Sequence, residues 1–181
     1  MKSTFPIAKN LSFMALFASL TCVCTLTIQI PLPAGGYFNV GDVFVLLSAW
    51  CLGPLYGAIA AGVGGALADL VSGYAIYAPA TLLIKAVVAA LSYILWKLFK
   101  NLVKNQEKEL CPRTVSAILG ELFMVVGYFL YDAMLYGFAG ATVGLIGNAM
   151  QGVCCALLAV FLLLSLCKIK AFKNYFPLLK K

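Results

Sequence analysis

Long apolar stretches, separated by short clusters of Pro, Gly and charged residues, run the length of this chain. A helix that crosses a bilayer needs about 20 mostly apolar residues, each rising about 1.5 Å. Residues 8–30 meet that requirement, and Pro31-Leu32-Pro33-Ala34-Gly35-Gly36 stops them, because such a cluster cannot continue a helix. Residues 42–52 are apolar but too short to cross alone, and Gly53-Pro54 interrupts them. A third helix is predicted over 55–72, ending at Ser72-Gly73, and Pro79 opens a fourth over 79–99. After a hydrophilic stretch, 100–113, come a fifth helix over 114–136, a Gly137-Phe138-Ala139-Gly140 turn, and a sixth over 140–167. The pattern predicts one all-α integral membrane domain over 1–181 with six transmembrane helices. Its second helix is short and ends at the Gly-Pro break; residues 31–41 form an outer loop and 100–113 a basic inner loop.

Composition strengthens the membrane reading. Hydrophobic residues make up 64% of the 181 and charged residues 10%, against roughly 45–50% and 25% in soluble domains. Too few charges remain to cover a water-soluble surface. Lys2 and Lys9 ahead of the first run suit a signal peptide, but the run is too long for one and lacks a convincing small-x-small cleavage site. It is read as a retained helix.

The net charge is +7, and its distribution gives the orientation. With six crossings, Lys2 and Lys9, then Lys97, Lys100, Lys104, Lys108 and Arg113, then Lys168, Lys170, Lys173, Lys180 and Lys181 fall on one face. The opposite loops carry no Lys or Arg. The positive-inside rule makes that face, with both termini, cytoplasmic in the cell membrane. No separate basic domain exists for nucleic acid. The chain has no His, and none of its seven Cys has zinc-site spacing, so no catalytic residue and no metal site is predicted. Trp50 and Trp96 read as interfacial anchors at the cytoplasmic level.

Small residues recur every four positions at Gly53, Gly57, Ala61, Gly65, Asp69 and Gly73, and again at Gly140, Gly144, Asn148, Gly152 and Ala156. Such seams let helices approach closely in a bilayer, and packing within the chain is their plain reading. A smaller seam, Ala15, Ala18, Ser19 and Cys22, lies on the first helix, where a partner subunit could use it.

Ionisable side chains at membrane depth are costly and usually face a cavity or one another. Five are expected there: Asp42, Asp69, Lys85, Glu121 and Asp132. Helix rise places all but Glu121 in the outer half, together with Asn148 and Gln151. Thr81 with Lys85, Tyr128 with Asp132, and Asn148 with Gln151 each share a helix face. Tyr37, Phe38, Tyr74, Tyr77, Tyr128 and Tyr131 lie near enough to stack on a flat ligand. The set predicts an outward-opening pocket for a small polar molecule, lined by Tyr37, Asn39, Asp42, Tyr74, Tyr77, Thr81, Lys85, Tyr128, Asp132, Asn148 and Gln151. The structural alternatives are that Lys85 pairs with Asp132 or Asp69, and that Asp42 or Asn39 caps the second helix.

Gly36-Tyr37-Phe38-Asn39-Val40-Gly41-Asp42, Leu52-Gly53-Pro54-Leu55-Tyr56-Gly57, Ala68-Asp69-Leu70-Val71-Ser72-Gly73-Tyr74, and Ala78-Pro79-Ala80-Thr81 with Lys85 resemble the S components of energy-coupling factor (ECF) vitamin transporters. The likeness is to the branch with riboflavin-type and related members. It implies a six-helix subunit that captures a vitamin outside, with Tyr37 to Asn39 in a closing lid. It also implies a transmembrane coupling (T) subunit, docked on Ala15, Ala18 and Ser19, and two cytoplasmic ATPases that bind ATP and Mg. Phe17 and Ser19 depart from the family's Ala-rich docking motif. This chain has no phosphate loop, so an energy source must come from partners.

The rival readings are a self-contained, proton-coupled secondary carrier relaying through Asp69, Lys85 or Asp132, and a membrane enzyme. Carriers usually show inverted repeats, and no repeat is visible here. For the ligand, Lys85 favours a phosphate, carboxylate or ring acceptor, and Asp132 with the amides favours hydroxyl or amino donors. No Trp lies at pocket depth to stack a flavin, which leans the expectation toward a smaller heteroaromatic such as pyridoxine or hydroxymethylpyrimidine.

Overall fold

A computed structural model describes residues 7–32, 36–102 and 110–180. Lys2, Lys104, Lys108 and Lys181, and the Pro33-Ala34-Gly35 part of the lid, lie outside the described residues. The chain is predominantly helical: α1 (Ile7–Thr27), α2 (Asp42–Leu52), α3 (Pro54–Val71), α4 (Ala78–Leu102), the long run α5 (Leu110–Leu166) and a short α6 (Lys170–Tyr175). Among the described residues α1, α3, α4 and α5 are long and apolar enough to cross a membrane. Their outward faces carry Leu55, Leu83, Ile146 and Phe161, each more than half exposed. So much apolar surface suits lipid and not water.

The 57 residues of α5 would extend about 85 Å if straight, more than two hydrocarbon thicknesses. Gly137 divides them: its φ of 78° and ψ of 165° are open to glycine and end the first arm, 110–136, before the second, 138–166. The other forced turn is Gly53, at φ 86° and ψ 179°, followed by Pro54 at the first position of α3. Proline there loses no helix hydrogen bond, so α2 stops and α3 starts within one residue. The break lets α2 sit inside the bundle, where nine of its eleven residues are buried, against α1, α3, α4 and α5.

Several expectations are corrected. The first helix ends at Thr27, and the chain then forms a hairpin, β1 (Gln29–Pro31) with β2 (Tyr37–Asn39), paired Gln29↔Asn39, Ile30↔Phe38 and Pro31↔Tyr37. Residues 28–30 are thus strand and turn, not helix, as suits Ile on either side of Gln29. The fifth helix begins at Leu110 and not at 114, which takes Arg113 out of the basic loop and into the bundle at 2% exposure. Its guanidinium carbon lies 4.3 Å from the Trp96 ring centre and 5.5 Å from that of Trp50. Both Trp are buried, so they hold Arg113 and do not anchor the protein at the membrane surface. Beyond α5, Phe176 folds back to 4.9 Å from the Phe13 ring and 6.0 Å from that of Phe17. This closes the end of the bundle opposite the hairpin.

The glycine seams serve these contacts. A Cβ on Gly57 would meet the Ala49 Cα at 2.8 Å, and one on Gly65 would meet the Lys85 Cδ at 2.6 Å. One on Gly152 would meet the Glu121 Cβ at 3.0 Å, where the two arms of α5 touch.

Candidate ligand-binding site

A polar cavity lies beneath the hairpin, lined by Leu32, Gly36, Tyr37, Asn39, Asp69, Tyr77, Thr81, Lys85, Tyr128, Asp132, Asn148 and Gln151. Its free volume is about 30 Å³, close to the space one water takes in the liquid. The site is narrow, so a ring-sized ligand requires the side chains that line it to move apart.

Tyrosine hydroxyls form the roof. Tyr37 on β2 donates to Asp69 Oδ1 of α3 at 2.5 Å, and Tyr77, just before α4, donates to Asp132 Oδ1 of the first α5 arm at 2.8 Å. Tyr131 donates to the Ile76 carbonyl at 2.5 Å. Ring edges link the set: Tyr37 to Tyr74 at 4.9 Å, Tyr74 to Tyr77 at 6.4 Å, and Tyr77 to Tyr131 at 5.5 Å. Burial pushes the Tyr37 hydroxyl well above its ordinary pKa, and the bond to Asp69 adds to that rise. The Tyr77 hydroxyl rises likewise, first through burial and then through its bond to Asp132. Both are neutral donors at physiological pH.

The floor is a relay of four side chains. Gln151 Oε1 accepts from the Asn39 backbone N–H at 2.7 Å and from its Nδ2 at 3.1 Å. Gln151 Nε2 donates to Asp42 Oδ2 at 2.5 Å, and Asp42 Oδ1 lies 3.1 Å from Lys85 Nζ. Asp42 is fully buried and Lys85 is 1% exposed, so this is an ion contact away from water. Neither Asp42 Oδ1 nor Lys85 Nζ makes a well-aligned hydrogen bond among the described residues. Cys155 Sγ, 3.6 Å from the Asn39 carbonyl, braces the same strand.

Of the eleven side chains expected in the pocket, nine line the cavity: Tyr37, Asn39, Tyr77, Thr81, Lys85, Tyr128, Asp132, Asn148 and Gln151. Asp42 stands behind Lys85, and Tyr74 packs outside on Tyr37. Lys85 pairs with neither Asp132 nor Asp69 but with Asp42. Asp42 makes no side-chain cap on α2; Asn39 Oδ1 instead accepts from the Gly41 N–H at 3.0 Å, one residue ahead of the helix. Leu32, Gly36 and Asp69 complete the lining. Leu32 and Gly36 carry no chemical signal in the sequence, whereas Asp69 stands out as a charge on a small-residue seam. Phe38 pairs across the hairpin with Ile30 and stays off the cavity. Glu121 is buried between the two arms of α5, also off the cavity, with neither carboxyl oxygen hydrogen-bonded among the described residues.

A second feature faces lipid. Met14, Ala15, Ala18, Ser19, Cys22 and Val23 of α1 meet Ile59, Ala60, Val63 and Leu67 of α3 in an open apolar groove of about 480 Å³. All four residues of the first-helix seam lie in it. The Ser19 hydroxyl is turned back to the Ala15 carbonyl at 2.9 Å, which leaves the groove without a free polar group from that side chain.

Comparison with known proteins adds to this geometry. The family model described as "ECF-type riboflavin transporter, S component" matches residues 7–168. An uncharacterised protein of Pyrococcus woesei, from the gap 3′ region, is 37% identical over 132 residues, which are 72% of this chain and 83% of that one. The thiamine precursor transporter HmpT of Lactococcus lactis subsp. cremoris (strain MG1363) is 28% identical over 148 residues, 79% of this chain and 78% of that one. Among solved structures, an S component of a bacterial ECF transporter aligns with a TM-score of 0.67 at 21% identity, covering 90% of this chain and 98% of that one. An S component for biotin aligns at 0.54 and 19%, covering 93% and 96%. At these identities the structural likeness establishes the shared fold.

Proposed function

Because the chain belongs to the family of ECF-type riboflavin transporter S components, a vitamin-binding membrane transport subunit and not an enzyme, we propose that it captures a small heteroaromatic vitamin or precursor from outside the cell. The narrow polar cavity under the hairpin is the observation that carries this reading. Opening the Tyr37–Asp69 and Tyr77–Asp132 contacts would admit the ligand, and re-forming them would shut water out. Six membrane-embedded helical segments, counting short α2 and the two arms of α5, then leave both termini and the basic loop in the cytoplasm, as the Lys and Arg distribution asks.

Two features favour a ring smaller than a flavin. The space is narrow, and both Trp lie around Arg113, off the cavity lining. A relative handles a thiamine precursor, and a hydroxymethylpyrimidine is the kind of planar, donor-bearing ring that Tyr, Asn and Asp side chains hold well.

For release of the ligand into the cytoplasm the subunit would dock a transmembrane T subunit through the groove between α1 and α3. Small residues there allow close helix approach where lipid gives no hydrophobic incentive. Two cytoplasmic ATPases, with ATP and Mg, would drive the cycle. Uptake of labelled ligand in cells that express the chain with and without those partners tests this. Uptake is expected only with partners that hydrolyse ATP; uptake by the chain alone, driven by a proton gradient, would make it a secondary carrier.

A further inference from the structure

We propose that the cavity takes the neutral or cationic form of its ring ligand and rejects the phosphorylated form, with Asp69 and Asp132 as the residues that decide. The inference rests on the reading of the chain as a vitamin-capturing subunit and goes on to specify which charge state of the vitamin is captured.

Lys85 suggests an anion site when read in sequence, and the structure reverses that. Its ammonium lines the cavity but already has Asp42 at 3.1 Å, which balances its charge. Around the cavity stand three carboxylates, Asp42, Asp69 and Asp132, against this one ammonium, and among the described residues no other Lys or Arg lines the space. The tyrosine hydroxyls do not soften the excess. Tyr37 and Tyr77 each spend their proton on a carboxylate, so toward the cavity they offer oxygen lone pairs. Tyr128 spends its proton on Thr81 Oγ1 at 3.0 Å. The Gln151 amide is used on both sides, by Asn39 and Asp42.

One further atom asks for a ligand donor. Asp69 is 3% exposed, and its Oδ2, with the Thr81 hydroxyl beside it, makes no well-aligned hydrogen bond among the described residues. A buried carboxylate oxygen without a donor is costly, and an N–H or O–H from a bound ring would satisfy it. A phosphate ester would instead bring two negative charges beside Asp69 and Asp132 at low dielectric, against a single ammonium whose charge Asp42 already balances. The lining thus favours amino, hydroxyl or protonated ring-nitrogen groups.

Matched pairs test this on the purified full chain by titration calorimetry: hydroxymethylpyrimidine, pyridoxine and riboflavin, each beside its phosphate ester. For whichever ring binds, the ester is expected to bind at least about 100-fold more weakly. Asp132→Asn and Asp69→Asn should each narrow that ratio to about tenfold or less, by weakening the parent and tightening the ester. A wild-type protein that holds parent and ester within about threefold overturns the inference and leaves vitamin capture standing. Variants that weaken both compounds equally overturn the assignment to these carboxylates. Absence of binding by all six compounds removes the capture reading, and this inference with it.

Discussion

Asp42 Oδ1 lies 3.1 Å from Lys85 Nζ, with both side chains buried at the cavity floor. This relationship changes what Lys85 does: it is one half of a buried ion pair that also touches the cavity. Through Gln151, the other half is tied to the backbone of the hairpin at Asn39. Ligand contact at Lys85 or Gln151 and closure of the hairpin are therefore two ends of one relay.

Removing one partner leaves an uncompensated buried charge, which costs about 3–5 kcal/mol, whereas replacing both by apolar groups is often neutral. Lys85→Ala and Asp42→Ala should each lower thermal stability in detergent strongly, and the Asp42→Leu/Lys85→Met double variant should recover most of it. A Lys85→Ala protein as stable as the parent, with only ligand affinity lost, would show that the pair does not hold the fold.

Gly65 gives way to the Lys85 stem. A Cβ there would stand 2.6 Å from Lys85 Cδ and 2.9 Å from Thr81 Cγ2. Gly65→Ala should cost about 1–3 kcal/mol by overpacking and weaken ligand binding by displacing Lys85. Gly137→Ala meets nothing within 4 Å, so its cost is the left-handed backbone alone, about 1–2 kcal/mol, with binding unchanged. Melting curves and affinities for the two variants separate packing from strain.

Much of this was legible from residue pattern, and some was not, for physical reasons. Apolar run lengths and the breaks at Gly53-Pro54 and Gly137 follow from local rules, so the helical frame could be read directly. The polar residues at similar helix depth could be read as well, which is why nine expected side chains share one cavity. Pairings across the bundle could not. Asn39 and Gln151 are 112 positions apart, and nothing local says that one amide will hold the other's strand. Depth alone could not rank Asp42 above Asp69 or Asp132 as the Lys85 partner. Trp50 and Trp96 look like surface anchors until Arg113, placed in a loop by its charge, turns out to be the cation they enclose.

The Tyr37 latch carries a pH dependence with a definite sign. Its folded pKa is raised by burial and by Asp69, while a released tyrosine ionises near pH 10. The closed hairpin therefore keeps a proton that the open one gives up. Closure is at full strength below about pH 10 and weakens as pH climbs beyond it. Protease resistance of the hairpin should be flat through neutral pH and fall above about pH 10, with no such step in Tyr37→Phe. A fall already complete by about pH 8 would place the latch elsewhere.

The groove between α1 and α3 makes a separable prediction. Ala15→Leu and Ala18→Leu fill a surface that shares no residue with the cavity lining. Overpacking a docking seam costs about 1–3 kcal/mol, so partner-dependent uptake should fall roughly five- to hundredfold with ligand affinity unchanged. Full uptake by both variants would move the docking surface off the first helix.

The most direct measurement is native mass spectrometry of the full chain purified from cells grown in rich medium, followed by denaturing extraction of whatever it holds. High-affinity capture predicts one small heteroaromatic molecule per chain, released on denaturation and identifiable by its mass. A protein that emerges empty, and stays empty when incubated with water-soluble vitamins and their precursors, would contradict capture in the cavity beneath the hairpin.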